Sequence, residues 1–208
     1  MVKAVLFDMD GVLVDTEWFY NHRRVAYMEG RGYTFDEIPD LSGSNEKEIW
    51  ETLVPGDEGL RERLMKGYFE YAEDHPVPYD ELLNRDTLPV MQELKMRGIK
   101  CAIASSGSPK YIEELIEAAG ICGVLDCYLS GHQCSAFKPN PEVYLRTMEM
   151  LGVTAWESLV VEDSPAGIEA GKRAGARVLA LRPSEGVVLD QSGADEVIDS
   201  LMDILQRL

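Results

Sequence analysis

Cysteine is scarce in this chain. Cys101, Cys122, Cys127 and Cys134 are the whole set, and no two stand at CxxC spacing. The three histidines, His22, His75 and His132, are scattered. A disulfide framework and a zinc site are both poorly served by such a set. Basic charge is short as well. Twenty Lys and Arg face 37 Asp and Glu, for a formal net charge of −17. That balance argues against nucleic acid or an anionic membrane as partner. A small anionic substrate stays open, because a metal and one lysine can reverse the local field. No apolar run reaches the roughly 18 residues of a membrane span. The apolar N-terminal stretch meets Asp8 and Asp10 too early for a signal peptide. No G-x-G-x-x-G follows it, which argues against a dinucleotide fold. The expectation is a cytoplasmic chain with reduced cysteines.

What the chain does have begins at Val5-Leu6-Phe7-Asp8-Met9-Asp10-Gly11. The apolar run suits a strand buried on both faces, as in a parallel sheet. Such sheets present ligands at the carboxyl ends of their strands. Alternation points Asp8 and Asp10 the same way and Met9 oppositely. Two like charges that close call for a cation, a shared proton, or both. Taken alone, the stretch could equally be a simple Asp-x-Asp-Gly turn.

The next segment changes period. In residues 15–31, Trp18, Val25 and Met28 fall on one helical face and Arg23, Arg24 and Glu29 on another. Helices follow at 46–54 and within 57–74, where Leu60, Leu64, Tyr68 and Tyr71 hold helical spacing, and a short one at 79–84. After Asp86, helices and strands alternate. Strands are expected at 100–104, near 126–129, and at 158–161, 177–181 and 195–198, with a closing helix at 199–207. Asn140-Pro141 and Ser164-Pro165 each read as a cap followed by a first-turn proline. Small residues Ala166, Gly167, Ala170, Gly171, Ala174 and Gly175 let their helix approach a sheet closely. The expected fold is α/β: a parallel-sheet, Rossmann-like core from 1–14 and 86–208, with an all-helical cap at 15–85 inserted after the first strand. An insert there is placed to close over a ligand and exclude water.

The strand ends deliver Asp8 and Asp10, Ser105 and Ser106, Lys138 before a helix, and Glu162 and Asp163. This set suits phosphoryl transfer, where catalysis is largely positioning and charge neutralisation. Asp8 and Asp163 can share one Mg²⁺ that also holds a phosphate oxygen. Lys138 adds a second positive charge, and Ser105 with nearby backbone N–H groups can bind phosphate oxygens. One carboxylate can attack phosphorus while another, two residues away, protonates the leaving oxygen. Duller roles compete. Ser105 could be a helix cap, Glu162 could serve its loop and not a metal, and Lys138 could be solvated. Phe7, Met9 and Val161 are assigned to core packing.

Phe7-Asp8-Met9-Asp10-Gly11-Val12-Leu13, Ala104-Ser105-Ser106, Lys138-Pro139-Asn140-Pro141 with Tyr144, and Val161-Glu162-Asp163-Ser164 with Gly167 resemble the four motifs of the haloacid dehalogenase superfamily, in its order. The helical insert resembles that family's small cap. The resemblance implies Asp8 as nucleophile and Asp10 as general acid/base. Ser105, Ser106 and Lys138 would bind the phosphoryl group. Asp163 would hold Mg²⁺ with Asp8 and the Asp10 carbonyl, with Glu162 a direct or water-mediated ligand. The family's dehalogenases lack an acid at the Asp10 position, which favours phosphate chemistry. Within the β-phosphoglucomutase and phosphoglycolate phosphatase group, the mutase carries a lysine before its cap-loop glycine and an arginine three residues after it. Here Ser42 and Glu46 stand in those places, with Lys47 one position late. A second phosphate beside Glu46 would meet repulsion. The expectation is therefore a monomeric Mg²⁺-dependent phosphatase of a small phosphorylated metabolite such as a sugar phosphate, with mutase chemistry as the alternative.

Overall fold

The computed structural model describes residues 1–35, 41, 46–184 and 187–208. The chain divides into two compact units, Met1–Asp15 with Tyr79–Leu208, and Thr16–Pro78.

The first unit is built on a six-stranded parallel sheet in the order β3-β2-β1-β4-β5-β6. The strands are β1 (Ala4–Phe7), β2 (Lys100–Ser105), β3 (Cys127–Ser130), β4 (Ser158–Glu162), β5 (Arg177–Leu181) and β6 (Glu196–Ile198). The central strand is apolar at every position and fully buried, as a strand covered on both faces must be. One face carries Ala4, Leu6, Ala102, Ala104, Val160, Val178 and Ala180. It packs against α7 (Glu142–Leu151) and α8 (Pro165–Arg173) through Tyr144, Met148, Ile168 and Ala170. Alternate residues Val5, Phe7, Ile103, Val161 and Leu179 are buried on the other face. There α5 (Thr87–Met96) packs against β2. The small-residue helix does approach closely. A Cβ on Gly171 would lie 2.8 Å from Val178 Cγ2 and 3.2 Å from Val160 Cγ1.

The chain leaves β1 for β2 and β3 on one side, then returns to β4 on the other. The strand order therefore reverses between β1 and β4, where open sheets of this kind bind ligands. α4 (Tyr79–Leu82) packs with α6 (Pro109–Ala118), and Asn84 binds Leu13 and Val12, so the returning segment belongs to this unit.

Two local expectations change. The closing segment is a 3-10 helix over Leu201–Gln206, started by a reciprocal Ser200–Asp203 capping box. Pro141 takes the N-cap position of α7, while Asn140 still caps in effect by accepting from the Glu142 N–H at 2.9 Å.

The second unit holds α1 (Glu17–Glu29), α2 (Glu46–Leu53) and α3 (Glu58–Asp74) around Tyr27, Met28, Trp50, Leu53, Leu64 and Tyr68. Tyr27, Trp50 and Tyr68 meet edge to face, an arrangement their ring quadrupoles favour. The expected face of α1 holds for Val25 and Met28, which are buried, and is corrected for Trp18, Arg23 and Arg24. Trp18 is 61% exposed and stacks on His22, whereas Arg23 and Arg24 are buried. The reason lies in the partners. Arg23 donates to the Tyr68 hydroxyl at 3.1 Å and to the His75 carbonyl at 2.7 Å, at the C-terminal end of α3 where a cation suits the helix dipole. Its guanidinium also lies over the rings of Phe19, Tyr20 and Tyr68. A simple apolar/polar count cannot anticipate a cation housed among aromatic faces.

Candidate active site

The site is assembled within the first unit from the carboxyl ends of β1, β2 and β4 and from the Lys138 segment before α7. Asp8 follows β1 directly, and its N–H still binds Val161 O at 2.9 Å, so the sheet ladder fixes where its side chain starts. Ser105 and Glu162 are the last residues of β2 and β4, and both are buried. Asp163, next in the chain, is 3% exposed.

Lys138 ties these strands together. Its Nζ donates to Asp8 Oδ1 at 2.5 Å, to Glu162 Oε1 at 2.7 Å and to the Ala104 carbonyl at 2.9 Å. Three donors meet three acceptors, one from each strand end, which uses the full capacity of an ammonium. The lysine side chain is only 6% exposed, which excludes the solvated-lysine reading.

Glu162 is saturated. Oε1 also accepts from the Tyr144 hydroxyl at 2.6 Å, and Oε2 accepts from the N–H groups of Asp163 and Ser164 and from the Ser164 hydroxyl. Gly167 makes room for this carboxylate, since a Cβ there would lie 1.8 Å from Oε1. Ser164 in turn caps α8 by accepting from Gly167 N–H at 3.1 Å. Asp163 needs a glycine likewise. A Cβ on Gly11 would come within 2.0 Å of Asp163 Oδ2, and Gly11 also holds a left-handed φ of +74°.

Asp8, Glu162 and Asp163 each offer a carboxylate oxygen, and the three oxygens lie within 4.8 Å of one another. Hard oxygen donors at this spacing fit a divalent cation such as Mg²⁺. Asp10 stands beside Gly107, where an added Cβ would lie 3.9 Å from Asp10 Oδ2 and 3.2 Å from Ser105 Oγ. Its carboxylate is outside that group of three. Ser105 is not the helix cap, because Ser108 holds that position for α6. Ser105 Oγ accepts instead from the Gly107 N–H at 2.9 Å, and Ser106 is exposed beside it.

Electrostatics follow from the crowding. Burial, with Glu162 and Asp10 nearby, pushes the Asp8 carboxyl up to about 8 despite the Lys138 ammonium. Burial works against the Lys138 charge, yet Asp8 and Glu162 hold its pKa well above the ordinary lysine value. Burial, then Glu162, likewise raises the Tyr144 phenol. The site carries more carboxylates than cations, a charge balance that suits a bound divalent cation.

The family model of the haloacid dehalogenase-like hydrolases matches residues 5–181. The chain belongs to the haloacid dehalogenase-like hydrolases. Among members of known description, a phosphorylated carbohydrates phosphatase of Thermotoga maritima is 32% identical, over 98% of this chain and 100% of its own. A phosphoglycolate phosphatase of Aquifex aeolicus is 26% identical over 85% of this chain and 83% of its own. The crystal structure of a candidate β-phosphoglucomutase from Thermotoga maritima superposes with a TM-score of 0.78, at 29% identity and full coverage of both chains. No helix among the described residues is long and apolar enough to cross a membrane.

Three residues have tasks in the site beyond those the sequence motifs suggest. Tyr144 stands in the sequence only as part of a motif, and Gly167 as part of a motif and as one of the small residues on its helix; neither is tied there to Glu162. The spacing Ser164-x-x-Gly167 carried a signal for the second, since a capped helix start beside an acid leaves little room. Gly11 was read for turn conformation, while its lack of a Cβ matters as much. The loop Ser42-Gly43-Ser44-Asn45 and the Glu46 side chain, on which the substrate argument leaned, lie outside the described residues. Lys47 is exposed and 3.9 Å from Glu51.

Proposed function

We propose that this chain is a Mg²⁺-dependent phosphatase of a small phosphorylated metabolite, with a phosphorylated carbohydrate as the favoured class. The observation that carries the reading is the Lys138 ammonium joined to Asp8 and Glu162 beside Asp163. The named activity of the Thermotoga maritima phosphatase relative supports the substrate class.

Asp8 is the nucleophile. A bond forms between its carboxylate oxygen and phosphorus as the bond to the leaving alkoxide breaks, and Asp10 gives that oxygen its proton. Asp10 then takes a proton from water, which attacks the aspartyl-phosphate and releases phosphate and the free Asp8 carboxylate. Lys138, held by three acceptors, keeps its charge against the Asp8 carboxylate, where it offsets the negative charge that develops during transfer. Ser105, with the backbone N–H of Ser106, binds phosphoryl oxygens. Asp8, Asp163 and the Asp10 carbonyl would hold the Mg²⁺, which when bound neutralises phosphoryl oxygens and the excess of carboxylates. Glu162, with both oxygens engaged by Lys138, Tyr144 and Ser164, orients the lysine and the Asp163 loop in preference to binding metal directly.

Hydrolysis of an aryl phosphate tests the reading. It is expected with Mg²⁺, to vanish on chelation and to be lost in Asp8→Asn; turnover surviving chelation contradicts it. The second reading, phosphoryl transfer between sugar hydroxyls, is favoured by the 29% identical candidate mutase. Incubation with β-glucose 1-phosphate and a bisphosphate primer separates the two. Free phosphate supports the phosphatase, and glucose 6-phosphate without free phosphate supports the mutase.

A further inference from the structure

The ladder between β4 and β5 ends at the pair Glu162–Ala180. The next pair in that register is Asp163 and Leu181, one step beyond the last β4–β5 pair. A single side-chain amide joins them. Gln191 Nε2 donates to Asp163 O at 2.8 Å and to Leu181 O at 2.7 Å, so both of its hydrogens are spent on backbone acceptors. Its own backbone is fixed independently. Gln191 O accepts from Ala194 N–H, Asp190 Oδ1 accepts from Ser192 N–H, and Asp195 is held by Val178 and Lys172.

The Asp163 peptide is thus gripped at both ends. Its N–H is bound by Glu162 Oε2 at 3.0 Å and its C=O by Gln191. The carboxylate between them sits against the bare Cα of Gly11, with no room to shift toward that turn. We infer that Gln191 is a positioning residue for Asp163 and that its amide sets how tightly the acidic cluster binds a divalent cation. The inference rests on the metal reading proposed above. Groups one step outside a metal's ligands commonly change affinity by about 10–100-fold when removed, because they fix ligand orientation. A purely structural role would act otherwise. The two carbonyls would turn to water, since Gln191 is only half-buried, and metal affinity would stay put.

The test is Mn²⁺ binding to the substrate-free protein, followed by electron paramagnetic resonance, for wild type and Gln191→Met. The variant keeps the side-chain length and removes both donors. About a tenfold weaker dissociation constant is expected, with KM for an aryl phosphate at saturating Mg²⁺ unchanged and kcat recovering there. Equal Mn²⁺ affinity in the two proteins overturns the inference. Wild-type protein that binds no Mn²⁺ overturns the metal reading itself, a different outcome. Should the variant fail to fold, the wild type still decides. The Gln191 side-chain amide resonance is expected to be protected from exchange and to shift on adding Mg²⁺, and an exchanging, unshifted amide contradicts the inference.

Discussion

Replacing Lys138 by methionine gives the sharpest view of the site's energetics. The side chain keeps its length, and the ammonium with its three hydrogen bonds to Asp8, Glu162 and Ala104 disappears. Two nearly buried carboxylates are then left facing each other. Removing one partner of a buried ion pair costs about 3–5 kcal/mol when the remaining charge cannot be relieved. Here it can be relieved by a proton. Asp8 already titrates at about 8 with the lysine present, and without it the carboxyl holds its proton more firmly. Below that range the variant's Asp8 is neutral and the repulsion between the two carboxylates is gone. Glu162 keeps its hydrogen bonds from Tyr144, Asp163 and Ser164, so the cost falls toward that of the unmade hydrogen bonds, about 1–3 kcal/mol. The sign follows from proton binding. A folded-state pKa above the unfolded 3.8 means that the native state binds more protons between the two values. Metal-free protein therefore loses stability as pH rises from about 4 to about 8, and the variant keeps losing it beyond. Urea unfolding with chelator, at about pH 5.5 and about pH 9, reads the difference. The variant is expected to lose about 1–3 kcal/mol at the lower pH and about 3–5 at the higher. Its kcat with Mg²⁺ should drop about 10²–10³-fold. An equal loss of stability at both values, or a variant as stable as wild type at the higher, refutes the reasoning.

Gly11→Ala puts a methyl group 2.0 Å from Asp163 Oδ2 at a φ of +74°. It should cost about 1–2 kcal/mol of stability and weaken Mg²⁺ binding about 10–100-fold, measured by urea unfolding and calorimetric titration. Mg²⁺ affinity should rise with pH and level off above about 8, because the cation and the Asp8 proton compete. Titration in buffers of different ionisation heat should show proton release below that value. In the second unit, Arg23→Met removes hydrogen bonds to Tyr68 and His75 from a buried site. About 1–3 kcal/mol of unfolding free energy should be lost, seen as a lower urea midpoint.

Much of this molecule could be read from residue order because its strands are short, apolar and end in chemistry. The run Ala4–Phe7 has one plausible partner geometry, and the acids and serines after such runs converge because parallel strands share a carboxyl edge. The reversal of strand order at β1 and β4 was not legible, although it is what sets Asp8 beside Asp163. Periodicity reports which face is buried, not which strands are neighbours. Arg23 shows a second limit. Its burial depends on Phe19, Tyr20 and Tyr68 offering ring faces and on the end of α3 offering a carbonyl. Phe19 and Tyr20 precede Arg23 by one turn of α1, but Tyr68 and the carbonyl at the end of α3 are not visible in the spacing of α1. Gln191 shows a third. An amide that joins two carbonyls is an ordinary loop glutamine until the ends of β4 and β5 are in place.

The central claim is that Asp8 carries the phosphoryl group during turnover. Acid quenching of the enzyme in the presence of Mg²⁺ and a good phosphoryl donor, followed by peptide mass analysis, tests it most directly. The predicted result is a phosphoryl adduct on the peptide containing Asp8, absent in Asp8→Asn and without chelatable metal. Steady turnover with no adduct at any quench time, or an adduct on another residue, would contradict it.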